Sequence, residues 1–331
     1  MSDIFTADTE VAHDEPLSRD DLRECVRLAT TAPSLHNSQP WRFHLEDRTV
    51  DVYADPARRL EVLDPRGREL LISVGAALFT LRLALRRAGR LSDFRLFPET
   101  DEPDLVARVR VGRAAAPSKP AEALAAAIPY RHTNRWPFAR SVVPADAVEH
   151  LTEAARREGT ALAVASAVSR DAVLGLSQAA DRRLREAGGY RAELARWTLP
   201  GTGRRDGIPH SAIGPWDALE LLPMRDFGLL QPHLDRVTEK FEPYPTIMVL
   251  ATRGDTARDW VNAGQALQRV LLTATWLNLS TTPISQPVEI PAVRRLLTDT
   301  EAGVWAQMIL RVGYGRPTSA TPRRPLGEVL R

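Results

Sequence analysis

The residues best suited to chemistry lie in Ala32-Pro33-Ser34-Leu35-His36-Asn37-Ser38-Gln39-Pro40-Trp41. Pro33 ends a preceding helix, because its ring removes an amide donor and pushes the residue before it toward extended geometry. Ser34, Asn37, Ser38 and Gln39 then offer amides and polar side chains to a flat polar ligand without blocking it. Pro40-Trp41 opens a strand and supplies an aromatic wall. Ser34 has no His/Asp arrangement beside it that spacing supports, and His36 reads as a packing or hydrogen-bonding group of the loop rather than a base. His132 and His210 lie far apart and lack acidic or histidine neighbours at regular spacing, which argues against zinc. No G-x-G-x-x-G follows a strand, and G-x-x-x-x-G-K-[ST] is absent.

Those residues must be positioned by the elements around them. Ser18-Arg19-Asp20-Asp21 has capping-box spacing, and Leu22, Cys25, Val26 and Ala29 then form one apolar helical face that runs into the Pro33 loop. Strands are expected over Trp41 to Leu45 and Thr49 to Tyr53, with a turn at Glu46-Asp47-Arg48. Leu70, Val74, Ala77, Leu78, Leu81 and Leu85 mark a long helix that Gly89 closes. Strands follow at Phe94 to Phe97 and Leu105 to Val111. The small-residue and proline stretch after Gly112 reads as a linker region, 113–127, into a second half that starts with a short Ala-rich helix.

The second part of the chain places Pro144 as the first residue of a helix carrying Val148, Leu151 and Ala155, with Gly159 beyond its end. Ala161 to Ser166 is expected to be a strand, and Ser169 to cap another amphipathic helix. Between Leu199 and Gln231 regular patterning gives way to Gly- and Pro-rich segments that still carry apolar and aromatic residues. Such a composition suits an ordered loop packed over something rather than a disordered one. The apolar run Tyr244 to Thr252 predicts a strand buried on both faces.

The ending then repeats the beginning. Gly264-Gln265-Ala266-Leu267 and its helix match Gly75-Ala76-Ala77-Leu78, and Met308 to Gly313 echoes Ala107 to Gly112. Two copies of one unit are the simplest account. The expected division is a flexible arm (1–17), a first half (18–112), the linker region, and a second half (128–331) that includes the insert 199–231.

A chain of 331 residues is long enough for a well-buried core. Its 44 basic and 42 acidic residues nearly balance, so no general attraction to nucleic acid or membrane is expected. Cys25 is the only cysteine, which excludes an internal disulfide framework; in its apolar surroundings it reads as a structural thiol. No apolar run approaches the ~18 residues that span a bilayer, and the acidic N-terminus is unlike a signal peptide, so a cytoplasmic protein is expected.

The A-P-S-x-x-N-x-Q-P-W pattern at Ala32 to Trp41 resembles the loop that follows the first long helix in the nitroreductase superfamily of FMN-dependent enzymes. The resemblance runs from Ser18 to the C-terminus. It implies an α+β, nitroreductase-like fold, duplicated in one chain, with mixed or antiparallel sheets flanked by helices and a lid insert. It also implies FMN as cofactor, with NAD(P)H as electron donor. By resemblance, Pro33, Ser34, Leu35, Asn37 and Gln39 hold the flavin. A dianionic phosphate suits guanidinium partners, and the N1/C2 edge of reduced flavin suits a cation. Arg131-His132-Thr133-Asn134-Arg135 is similar to the family's R-x-S-x-[RK] opening, so Arg131 and Thr133 would face phosphate and ribityl chain, Arg135 the N1/C2 edge, and His132 would be among the cofactor-binding residues. Taken alone, the same stretch is equally a basic surface turn.

Pro322-Arg323-Arg324-Pro325 looks like the family's late phosphate-binding segment, with Arg324 the better match and Arg323 next; taken alone, it reads as a solvated basic tail. Pro283, Ile284, Ser285 and Gln286 occupy the place of the loop whose amides face flavin N5 and O4, although Gln286 is bulkier than the family's glycine.

The first half carries the loop without the basic opening. The second half carries the opening but reads Arg157-Glu158-Gly159-Thr160 where its own loop would be. The halves thus complement each other into one complete site, as in the Acg-type subgroup of single-chain pseudodimers. Two functions stay open. One is an oxidoreductase passing hydride through N5 to a small nitroaromatic, quinone or similar acceptor. The other is a flavin-sequestering protein whose lid residues Trp216, Met224 and Phe227 occupy the substrate's stacking place. In either case no catalytic side chain is required, because the flavin carries the redox chemistry. The partners expected are small molecules; whether the pseudodimer pairs again into a homodimer is left open.

Overall fold

The computed structural model describes residues 17–198, 203–231, 235–299 and 301–331. The expected arm, Leu17 apart, and the start of the insert lie outside them. Helix α1 (Arg19–Ala29) begins on the capping box read from the sequence, with the Asp21 amide donating to Ser18 Oγ and the Ser18 amide to the Asp21 carboxylate, each at 3.1 Å. Its Cys25 is buried, and burial pushes the thiol up to about 12, as suits an unreactive thiol.

Strands β1 (Trp41–Glu46) and β2 (Thr49–Ala54) form a hairpin whose turn puts Asp47 at φ 48°. Helix α2 (Arg68–Arg87) and strands β3 (Arg90–Leu96) and β4 (Leu105–Ala114) complete an antiparallel sheet of order β1-β2-β4-β3. Gly89 takes φ 74° just past α2, the left-handed stop that glycine makes cheap. The stretch expected as linker contains helix α3 (Lys119–Ala127), which buries Leu124, Ala125 and Ala127.

Helix α4 (Ala145–Arg156) has Pro144 at its cap rather than inside it. Strand β5 (Ala161–Val164) leads to α5 (Ala167–Glu186), capped by Ser166, whose Oγ accepts the Ser169 amide at 3.2 Å. The expected cap, Ser169, thus lies within the first turn. Next come α6 (Tyr190–Thr198) and a parallel pair of two-residue strands, β6 (Trp216–Asp217) and β7 (Thr238–Glu239). The chain then forms β8 (Thr246–Thr252), α7 (Ala257–Trp276), β9 (Ser280–Ile284), α8 (Gln286–Glu289), α9 (Pro291–Leu296), β10 (Trp305–Gly313) and α10 (Leu326–Val329). The second sheet is antiparallel, in the order β5-β8-β10-β9. Both sheets therefore follow helix, strand, strand, helix, strand, strand, with the fourth strand between the second and third. The second departs from the first where a long excursion, residues 165–245, replaces the tight β1-β2 turn.

Helices α2 and α7 cross at the two glycines that the internal match picked out. A Cβ on Gly264 would lie 2.0 Å from the Ile72 carbonyl oxygen, and one on Gly75 would lie 2.2 Å from that of Val261. Only glycine permits that approach. The main cores lie on either side of this crossing, one around Trp41, Phe43, Leu78 and Leu81, the other around Leu151, Met248, Leu271 and Leu310.

Candidate functional site

Where the Pro33 loop, α2, the end of β9, the C-terminal tail and the excursion meet, they enclose a cavity of roughly 1100 Å³, its open mouth included. The loop is held in an unusual shape: His36, Asn37 and Gln39 take φ of 51°, 54° and 50°. L-residues adopt that region only when their surroundings impose it. Here the Gln39 amide donates to Ser34 Oγ at 2.9 Å, and the Leu35 amide to Ser73 Oγ at 3.2 Å. Asn37 Nδ2 donates to the Gly207 and Pro322 carbonyls at 3.0 and 3.1 Å.

Several residues expected to touch a ligand lie outside the lining of the main cavity. Gln39 is fully buried and away from the cavity lining; its carboxamide donates to the Arg205 carbonyl at 2.8 Å and accepts the Arg324 amide at 2.8 Å. Arg324, the expected better match, turns its guanidinium to the Glu328 carbonyl at 2.8 Å, whereas Arg323 lines the cavity. The reason is local, since residue 324 sits just ahead of α10 and its side chain reaches that helix. Ile284 packs with Val173, Ile247 and Ile309 on the sheet's other side. Trp216 lies in β6, 40% exposed, 5.5 Å from the Arg236 guanidinium, and lines a separate cleft. Pro33, Ser34, Leu35 and Asn37 line the main cavity, as do Arg131, His132, Thr133 and Arg135. Pro283, Ser285, Gln286, Met224 and Phe227 do so too. Gln286 is turned by the excursion, its Nε2 donating to the Pro223 carbonyl at 3.1 Å.

The electrostatics single this cavity out. Away from the cavity, buried guanidiniums such as Arg311 and Arg294 are matched by carboxylates, Glu242 and Asp255, each at 2.6 Å. Arg131, Arg135 and Arg323 have no such partner among the described residues. Arg131 donates to the Thr31 carbonyl at 3.3 Å, Arg135 to that of Ala212 at 2.7 Å, and Arg323 to Thr31 O and Asn37 Oδ1 at 3.0 Å. Arg323 Nε is buried without an acceptor. Burial, together with the neighbouring Arg323, brings Arg131 down to about 9; burial and Arg225 bring Arg135 to about 10, and burial brings Arg323 to about 10. His132 falls to about 4 through burial and the same two arginines, Arg131 and Arg323. A buried, uncompensated charge is costly, and an anion among these guanidiniums would offset that cost.

Sequence reasoning missed Glu69, Ser73 and Arg225 as lining residues; His36, read as a packing or hydrogen-bonding group of the loop, lines the cavity as well. Arg225 lies in the Pro-Met-Arg-Asp-Phe-Gly stretch of the insert, and Glu69 opens a helix with no motif to mark it. His36 is 4% exposed, its ring edge-on to Phe227 at 5.1 Å, and neither ring nitrogen has a partner among the described residues. Burial first, then Arg225 and Arg135, hold it well below the usual imidazole range, so it is neutral. Among the described residues there is no group of three metal-ligating side chains, and no helix is long and apolar enough to cross a membrane.

The model of the nitroreductase family matches residues 12–73, which hold the Pro33 loop. A Mycobacterium tuberculosis H37Rv protein provisionally named as an NAD(P)H nitroreductase is 33% identical over 93% of this chain and 90% of its own length. Another from that strain, provisionally named as the NAD(P)H nitroreductase acg, is 32% identical over 96% of this chain and 97% of its own. Among solved structures, an FMN-bound nitroreductase from Desulfitobacterium hafniense is 13% identical over 61% of this chain and 94% of its own, with a TM-score of 0.37. With 32% identity to the acg relative over nearly the full length of both chains, and the family's loop at the cavity wall, the chain belongs to the nitroreductase family, in its Acg-type subgroup.

Proposed function

We propose that this protein binds FMN in the cavity and uses it to pass reducing equivalents from NAD(P)H to a small acceptor. The observation that carries the reading is the trio of carboxylate-free guanidiniums around one cavity, Arg131 buried and Arg135 and Arg323 half-buried. A phosphate dianion satisfies Arg131 and Arg323, whose mutual repulsion marks them as neighbours, and Arg135 suits the anionic edge of a reduced ring. FMN when bound supplies hydride transfer through N5. The chain's own contribution is to hold the ring between the Pro33 loop and the Pro283–Gln286 turn and to exclude water. We read 18–112 and 128–331 as copies of one unit, of which only one pairing keeps both the loop and the basic opening.

A second reading, in which the flavin is stored, is favoured by the excursion. Met224 and Phe227 lie on the cavity wall, and Arg225 between them is anchored to Glu289 at 2.5 Å. On this reading the excursion is a closed lid. The test is an absorbance spectrum followed by NAD(P)H without air. A flavin spectrum that bleaches supports the reductase; a stable yellow spectrum supports storage. A colourless protein that cannot take up FMN refutes both.

A further inference from the structure

The arginine trio leaves another part of the wall unexplained. Glu69 is 2% exposed; its Oε1 accepts from Arg68 at 2.7 Å, while Oε2 is buried without a partner among the described residues. His36 has two such nitrogens. The two residues are tied together, because the Leu35 amide donates to Ser73 Oγ and Ser73 Oγ donates to the Glu69 carbonyl at 2.7 Å. Buried polar atoms are normally paired, and two neighbouring lining residues that break the rule point to a ligand that pairs them.

We propose that Glu69 and His36 form the acceptor subsite, where Glu69 gives its proton to the oxygen of a flat, uncharged quinone-type acceptor that His36 helps to hold. This rests on the flavin reading above and deepens it. The acceptor takes a hydride, originating in NAD(P)H, and one proton. The Glu69 O–H bond breaks as the new O–H bond forms on the acceptor, giving a hydroquinone, and water restores the proton to Glu69 after product leaves.

The surroundings supply the acid form and its conjugate base alike. Burial, Glu289 and Asp64 push Glu69 well above the usual carboxylic range, against Arg68 and Arg225. Arg68, anchored to the Gln307 carbonyl at 2.7 Å, then steadies the carboxylate once the proton has gone. Phe227 stands against His36, so the acceptor reaches the subsite when that part of the excursion moves.

The experiment compares wild-type holoprotein with Glu69→Gln in two reoxidations of the reduced protein, one by benzoquinone, which needs a proton, and one by ferricyanide, which takes single electrons. Positioned acids contribute roughly 10²–10⁴-fold, so the benzoquinone-to-ferricyanide rate ratio should fall at least about tenfold in the variant. An unchanged ratio overturns the proposal. Infrared spectra at pH 7 should show a protonated carboxylic acid in the wild type that Glu69→Gln lacks. If that variant does not fold, Glu69→Ala takes its place in the infrared comparison, and a wild type with no protonated carboxyl band overturns the proposal. The infrared arm needs no flavin, so a colourless protein refutes the FMN reading while this arm still reports on Glu69.

Discussion

Replacing Arg131 with methionine should move two quantities in opposite directions. In the ligand-free protein Arg131 is a buried charge beside Arg323, with one carbonyl acceptor at 3.3 Å and no carboxylate. Exchanging such a charge for an apolar chain should raise stability by about 1–4 kcal/mol, the range for replacing buried ionic groups with hydrophobic ones. FMN binding should weaken by about 1.5–3 kcal/mol, a charge-assisted contact, or roughly 10–150-fold in Kd. With FMN at 100 times the wild-type Kd, the ligand stabilises wild type by about 2.7 kcal/mol. A variant weakened about 30-fold would gain only about 0.9 kcal/mol at that concentration. Urea denaturation with and without FMN, and quenching of flavin fluorescence, measure both. An unchanged Kd removes Arg131 from the phosphate site. A destabilised ligand-free variant refutes the claim that its charge is uncompensated.

Gly264→Ala should destabilise by about 1–3 kcal/mol or more, because its Cβ would lie 2.0 Å from the Ile72 carbonyl oxygen; a urea midpoint equal to wild type would contradict the packed helix crossing. Glu289→Gln should cost about 3–5 kcal/mol by leaving Arg225 buried without its counter-ion, and should make the insert more sensitive to protease. Resistance equal to wild type would show that this pair does not anchor the insert. His36 has a depressed folded pKa from an ordinary 6.5, so its contribution is constant above that value and is lost as pH falls and the unfolded chain takes up the proton. The loss by pH 5 should be at most about 2 kcal/mol, the limit set by the unfolded value alone. Asp64 and Glu69, with raised values, act in the opposite sense, so the test is the difference in pH dependence between wild type and His36→Asn, and equal slopes would refute a buried neutral imidazole.

By itself the sequence determined whatever depends on neighbours along the chain. The Ser18 capping box, the left-handed stop at Gly89, the Pro33 loop and the hairpin strands follow from local sterics and hydrogen bonding, and the structure shows each. The paired glycines could be matched from the sequence, although that they touch is a tertiary fact. Only the fold decided where long polar side chains point. Asn37 and Gln39 looked free to bind a ligand, yet their partners come from Gly207, Arg205 and the tail at Pro322 and Arg324. Arg323 and Arg324 are adjacent, but one reaches the cavity and the other α10. Trp216 and Phe227 share one insert, but of the two only Phe227 lines the main cavity. Glu69 was invisible because a helical carboxyl becomes unusual only when burial and the charges of Glu289, Arg68 and Asp64 surround it. Arg68 and Asp64 are close in sequence, but Glu289 adjoins them only after folding, and the burial of the helix start is likewise tertiary, so no local pattern marks Glu69.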